Sequence, residues 1–454
     1  MTILNRRRFL QTGLALAAAT QIPRLVLADT SSDDLDYQLI VEPADIGLIE
    51  GTSTPAWCFN GGFPAPVIRA RQNKPVRIEV VNRLAEPTTI HWHGLRIRND
   101  MDGVPFLCQK PIQPGDTFVY EFTPPDAGTF WYHPHMNSIE QLGKGLVGIL
   151  IVDEEQDPGF DLDLALAMKN WHVTPDGAFT VLSKPREAAR MGTPGRLMTI
   201  NGEQNPHYQV PAGGAVRLRF ANVDNTLTYE LNCSDPEVQI LAIDGNPLAE
   251  PRPLAGYLIG PGMRLDLGLM APESLGEQVH FTHRDKPLLS LISAEGDARA
   301  QRLPRLPMNP IPPPDLDNAE TLSFAFEWDA SINPVNENGE MHPVFWTINR
   351  VAWQGMSDGH IPPPLARLER GKTYIFSLEN ATQYHHPIHL HGHTFTILDS
   401  DSRQIDSYQS DTALLGKYER IRVAFVADNP GRWMYHCHVV DHMKTGLMGY
   451  VEVV

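Results

Sequence analysis

Two short patterns occur near each end of this chain, about 300 residues apart, and the fold has to bring their two copies together. His91-Trp92-His93-Gly94 is matched by His389-Leu390-His391-Gly392. Tyr132-His133-Pro134-His135 is matched by Tyr435-His436-Cys437-His438. On a strand, a His-x-His triplet puts both imidazoles on one face, because side chains alternate with a period of two. The residue between them points to the other face, so Cys437 can look one way while His436 and His438 look the other. Chance would give about 0.7 such triplets for 18 histidines, and the chain has five. The eight histidines of the doubled patterns therefore read as paired ligands, four from each end.

Imidazole suits copper, zinc, iron and nickel, and thiolate combined with imidazole suits copper in particular. One copy of the second pattern has Cys437 where the other has Pro134. That difference assigns an additional, thiolate-bound metal to the C-terminal region. His436 and His438 would bind other metals behind it, making Cys437 a covalent link between two sites.

A second repeat runs through the whole chain. Val76-Arg77-Ile78-Glu79-Val80-Val81-Asn82, Val216-Arg217-Leu218-Arg219-Phe220-Ala221-Asn222 and Tyr374-Ile375-Phe376-Ser377-Leu378-Glu379-Asn380 each alternate and end in Asn. Asn60, Asn201 and Asn349 precede them at the ends of short apolar runs. The copies lie about 140 to 160 residues apart, a domain period, and each reads as a half-buried strand of a β-sandwich. Helix-length amphipathic runs are scarce, while 39 Pro and 35 Gly punctuate short alternating stretches. The expected architecture is all-β with three units: 36–155, 160–302 and 321–454, with a stiff Pro-rich linker over 303–320. The middle unit has His172, His207, His280 and His283 but no His-x-His, so its expected role is spacing.

Asn5-Arg6-Arg7-Arg8-Phe9-Leu10 followed by a short apolar stretch reads as a twin-arginine signal peptide over residues 1–28, which implies export to the periplasm. No stretch is long and apolar enough to span a bilayer comfortably. The segment holds four Arg and no acid, so its removal takes the net charge from −17 to −21. So acidic a chain is a poor nucleic-acid binder. Beyond Cys437 there are Cys58, Cys108 and Cys233, whose pairing or free state the sequence leaves open.

With these motifs in this order and spacing, the chain resembles a bacterial three-domain multicopper oxidase of the laccase type over nearly its whole mature length. The resemblance implies three cupredoxin-like Greek-key β-barrels and four copper ions. A type 2 copper would sit on His91 and His389. One type 3 copper would take His93, His133 and His438, and the other His135, His391 and His436. The type 1 copper would take Cys437, His386 and His442, with the His442 edge near the surface. His385 and His393 match no motif position. A reductant would give single electrons to the type 1 copper. They would cross Cys437 to the trinuclear cluster, where dioxygen becomes two waters.

The chain departs from that pattern at three places. Leu447 stands where many relatives have an axial Met, which should raise the type 1 potential and favour difficult donors such as phenols or aromatic amines. The adjacent Met448 should alternate away from the copper. Met443 stands where relatives often have a proton-delivering Glu, leaving Asp102 as the expected relay, catalytic beside Cys437 and His442. The 14 Met are scattered, without the Met-rich insertion of cuprous oxidases; Met341, Met356, Met443 and Asp441 could approach the site, but packing or solvent exposure is the expected role of each. A metallo-oxidase of Cu(I), Fe(II) or Mn(II) is the nearest alternative. A copper-free cupredoxin-like scaffold would lose the ligand set that this chain keeps, and a two-domain copper nitrite reductase fits neither three units nor so many histidine pairs.

Overall fold

The computed structural model describes residues 35–329, 344–353 and 355–454. The expected signal segment and Met341 lie outside the described residues. Among the described residues no helix is long and apolar enough to cross a membrane.

The chain is built almost wholly of β-strands, arranged as three successive pairs of sheets. The first pair has strand orders 54–59, 37–46, 76–82, 117–122 and 68–71, 148–153, 128–133, 91–93. The second pair has six and five strands between Leu162 and Ala294, and the third has six and five between Glu320 and Val453. Neighbours in each sheet are mostly non-consecutive in sequence, as Greek-key connections require.

The repeated strand holds the same place in every pair. Val76–Asn82 runs parallel to Tyr37–Ile46 and antiparallel to Thr117–Phe122. Ala215–Asn222 and Thr373–Asn380 pair in the same way with their own neighbours. The terminal Asn has one job in all three. Asn82 Nδ2 donates to the carbonyls of Glu86 and Ile112 while its Oδ1 accepts from the Leu84 amide. Asn222 does this with Leu227, Ile259 and Asp224, and Asn380 with Tyr384, Gly416 and Thr382. A buried amide that satisfies two backbone groups of the departing loop and one of a distant segment fixes where the strand ends. Asn60, Asn201 and Asn349 all take positive φ and hydrogen-bond the first strand of their unit through both side-chain atoms.

One expectation needs correction. Val76–Asn82 is half-buried, but every residue of Ala215–Asn222 is buried. Its polar face is covered by the first unit. Arg217 pairs with Glu154 (2.7 Å) and Asp266 (2.7 Å), and Thr129 Oγ1 donates to Asp266 at 2.6 Å. Charges buried between sheets are tolerable because each is paired and hydrogen-bonded.

The Pro-rich stretch is stitched down along its path. Asn309 donates to the carbonyls of Ala127 (2.9 Å) and Gly245 (3.1 Å) and accepts from the Ala127 amide (2.9 Å), bridging the first and second units on the way to the third.

Candidate metal centre

The strands explain why the doubled histidines meet. In the first unit His91–His93 lies antiparallel to Gly128–His133, with His91 opposite His133. In the third, His386–Leu390 lies antiparallel to Gly431–Cys437, with His389 opposite His436. The two halves then interdigitate. His91 stacks on His391, and His93 stacks on His389, each with ring centres 3.8 Å apart. The first histidine of each HxHG motif thus lies on the second histidine of the other.

Nitrogen by nitrogen, the rings point one way. His91, His133, His389 and His436 place Nδ1 within 2.8–3.0 Å of the carbonyls of Asp102, Pro134, Asp411 and Cys437. A carbonyl only accepts, so Nδ1 carries the proton and the Nε2 lone pair is left facing the other rings. His391 Nδ1 donates to the Asp102 carboxylate at 2.9 Å. The buried Nε2 atoms of His91, His133, His135 and His389, and both nitrogens of His438, have no hydrogen-bond partner. Buried, unpaired acceptors are costly. Soft or borderline cations among the rings would take one lone pair from each imidazole, and the donor set fits copper.

Donor atoms of three ring groups lie within 4.8 Å of one another: His91, His389 and His391; His91, His93 and His133; His135, His391 and His436. The last is the expected second type 3 set. His438 lies beside His93 and His133, with ring centres 4.9 and 5.3 Å away, while the compact atom set around those two includes His91. Burial lowers the proton affinity of every one of these rings for which a shift is resolved, taking His436 to about 3. Neutral imidazole is the form that binds a metal.

On the opposite face of the Gly431–Cys437 strand, Cys437 Sγ lies 3.6 Å from both His386 Nδ1 and His442 Nδ1, which are 3.1 Å from each other. Their outer Nε2 atoms are tied to Thr382 Oγ1 (3.0 Å) and the Arg190 carbonyl (2.7 Å). Burial pushes the Cys437 thiol up and His442 down to about 3, so the thiolate form requires a cation. This His₂Cys triangle is the donor set of a blue-copper site. Leu447 is fully buried in the same apolar cluster as Cys437, whereas Met448 belongs to a different cluster. His385 and His393 stay outside both centres, and His393 Nδ1 donates to the His391 carbonyl.

One expectation about the surroundings changes. His442 is fully buried rather than near the surface, because the second unit covers it through Arg190 and Trp346 packs on its ring at 4.4 Å. Asp441 is buried, with Oδ2 accepting from the Thr193 amide. Met443 and Met356 pack in one apolar cluster. Cys58, Cys108 and Cys233 are all free thiols, and burial pushes Cys58 up to about 12.

Asp102 is 1% exposed, with its carboxylate 3.2 Å from His91 Nδ1 and hydrogen-bonded to His391, so it ties one ring from each end of the chain. The sequence missed its counterpart. Asp411 Oδ1 lies 3.3 Å from both His93 Nε2 and His389 Nδ1, and its carboxylate is gripped by both terminal nitrogens of Arg264, from the second unit. Burial raises the Asp411 carboxyl, but Arg264 and His389 outweigh it and hold it well below the usual carboxylate range. Gly94 takes positive φ, and a Cβ there would collide with the Arg264 guanidinium, so the HxHG glycine makes room for a side chain from another unit. A Cβ on Gly262 would lie 2.7 Å from His438. The only sequence hint was the polar triplet Ser410-Asp411-Thr412 leading into an apolar strand.

Residues 41–157 and 326–454 each match a multicopper oxidase family model. A solved multicopper oxidase from Pseudomonas thermotolerans is 47% identical. It superposes with a TM-score of 0.85, over 92% of this chain and 98% of that one. Laccase-1 of Botryotinia fuckeliana is 26% identical over 92% of this chain and 82% of its own length. The iron transport multicopper oxidase fio1 of Schizosaccharomyces pombe is 26% identical over 88% of this chain and 73% of its own.

Proposed function

The chain belongs to the multicopper oxidase family of oxygen-using copper oxidoreductases, and we propose that it is a laccase-like oxidase. It would couple four one-electron oxidations of phenols or aromatic amines to the reduction of dioxygen to two waters. The observation that carries this reading is the continuity of the two centres. The Cys437 thiol belongs to one, its sequence neighbours His436 and His438 belong to the other, and His436 Nδ1 donates to the Cys437 carbonyl at 2.9 Å.

Four copper ions held there would supply the one-electron chemistry and dioxygen reduction that no side chain provides. Cys437, His386 and His442 would hold one. His91 and His389 would hold a second. The remaining pair would use His93, His133 and His438, and His135, His391 and His436. The outer hydrogen bonds of the rings fix their tautomers and aim their lone pairs, and such partners commonly govern metal affinity. Asp102 positions His391 and is the proposed proton relay, since its carboxylate is buried against rings from both halves. Met443, packed among apolar side chains, offers no proton. The unit boundaries are proposed at 36–155, 160–302 and 321–454, and the N-terminal twin-arginine pattern supports export to the periplasm.

Leu447, buried in the same apolar cluster as Cys437 where many relatives have a Met, and the lack of a carboxylate cluster beside His386 and His442 among the described residues support an organic reductant. The relative named for iron transport makes a metallo-oxidase the reading to exclude. Oxygen uptake by copper-loaded protein should be measured with a simple phenol, with Cu(I) and with Fe(II), against a Cys437→Ser control. Uptake driven by phenol and lost in the control is expected. Uptake with a metal ion alone would transfer the assignment to metal oxidation.

A further inference from the structure

A fully buried His442 raises the question of where a reductant docks. Its cover is the stretch 184–193 of the second unit, fastened at several points. Trp346 Nε1 donates to the Ala188 carbonyl (2.8 Å), and His442 Nε2 donates to that of Arg190 (2.7 Å). The Thr193 amide donates to Asp441 Oδ2 (2.6 Å), and the Lys184 amide to Thr193 Oγ1 (2.9 Å), which closes the stretch on itself. Gly192 has φ +83°, and a Cβ there would lie 2.8 Å from the side chains of Thr226 and Val439. The strap therefore presses on the third unit with its backbone. Arg190 puts its carbonyl on His442 while the residue remains exposed, and Met191 beside it is 59% exposed.

The charge on this strap runs against the rest of the molecule. Lys184, Arg186 and Arg190 are exposed, and none of their side chains has an ion-pair or hydrogen-bond partner among the described residues. The strap's acid is the half-buried Glu187. Some exposed arginines elsewhere pair with carboxylates, as Arg83 does with Glu42, Arg305 with Glu250 and Arg420 with Glu379, while Arg196, Arg302 and Arg370 stand exposed without such a pair among the described residues. Asp441 beneath the strap is buried, with Oδ2 accepting from the Thr193 amide and Oδ1 without a hydrogen-bond partner among the described residues. In a chain of net charge −17, three unpaired cations collect on the segment whose Arg190 carbonyl accepts from His442.

We infer that the strap 184–193 is the docking platform for the reductant, and that it selects anionic aromatic donors over cationic ones. Electrons enter through the hydrogen bond between the Arg190 carbonyl and His442. This rests on His442 being a ligand of the electron-accepting copper. A docked phenolate would give up one electron and become a phenoxyl radical, and a copper held by Cys437, His386 and His442 would accept that electron. A neutral phenol also releases its proton to solvent. Phenols bearing carboxylate or sulfonate groups gain from the local positive field, while Fe(II), Mn(II) and ammonium-bearing phenols are repelled.

The test is the double charge reversal Arg186→Glu/Arg190→Glu, which leaves every backbone fastening in place. Calorimetric titration of the copper-free protein with benzenesulfonate, a redox-inert probe, reads docking without turnover. Binding by the parent chain and its weakening by about tenfold or more in the variant are expected. In the copper-loaded protein, kcat/KM for a phenol carboxylate should fall about tenfold in the variant, and should fall with added salt in the parent. That for an ammonium-bearing phenol should rise. No benzenesulfonate binding, equal changes for both donors, or preference of the parent for the cationic donor would each overturn the platform. Copper-loaded protein that consumes no oxygen with any donor would sink the oxidase reading instead, and the calorimetric arm would still decide whether the strap binds anions.

Discussion

The first and third units carry the same local structure and differ in one slot. In each, an HxHG strand pairs with the strand of the second motif, and a short helix follows, Ser138–Gly143 in one and Val440–Lys444 in the other. Thr88 stands three residues before His91, as His386 stands three before His389. Gln141 stands four before Gly145, as His442 stands four before Gly446. In the third unit this slot is the His386–Cys437–His442 triangle. In the first, Thr88 Oγ1 donates to Gln141 Oε1 at 2.7 Å with both residues fully buried, and Pro134 takes the place of the cysteine. The fold supplies a buried place for three side chains between strand and helix, and the side chains alone decide whether it offers metal donors or a hydrogen-bonded polar pair.

Erasing that difference should have the largest effect. Cys437→Ser should abolish donor-driven oxygen uptake, remove the thiolate-copper absorbance and lower copper content by one ion per chain, with the histidine centre retained. The mirror change, Pro134→Cys, should bind no fifth copper, because Thr88 and Gln141 offer no imidazole; metal analysis of both variants checks the pair. Arg264→Met tests whether the middle unit locks the two halves together. It leaves Asp411 buried and unpaired, so a loss of about 3–5 kcal/mol is expected in denaturant unfolding, along with weaker copper retention on dialysis. Asp102→Asn keeps the shape of the tie between His91 and His391 but removes its charge. A drop of about 10–100-fold in copper affinity or turnover is expected, whereas an unchanged turnover would remove Asp102 from the proton path.

The smallest effect concerns how the two helices dock. Val440 is held by its amide on the Asn225 carbonyl, whereas Ser138–Gly143 is held by Lys169, whose buried Nζ donates to the Leu142 carbonyl at 2.9 Å. Burial lowers the Lys169 pKa to about 8, against about 10.4 for an unfolded lysine. Between those values the unfolded chain binds more protons, so this group makes the fold more stable as pH rises from about 8 to 10.4. The stability difference between the parent and Lys169→Met should shift toward the parent across that window and level off above it. A flat difference in thermal unfolding from pH 7 to 10.5 would show that the ammonium is not strained there.

Residue order by itself determined the strands, the three repeats and the ten histidines and one cysteine that cluster. Period-two alternation and fixed motif spacing are local properties, and local backbone geometry translates them directly into which side chains share a face. It also left Leu447, Met448, His385 and His393 out of the expected ligand set. It could not place the second unit, because nothing in Arg264, Gly262 or Arg190 looks like part of a metal centre until the units pack. Only the tertiary structure put Arg264 through the space left by Gly94 onto Asp411, and folded the strap over His442. The physical reason is that burial, ion pairing and exposure are properties of contacts between distant segments. A strand that reads as half-buried in isolation becomes fully buried when another unit covers its polar face, as Ala215–Asn222 does.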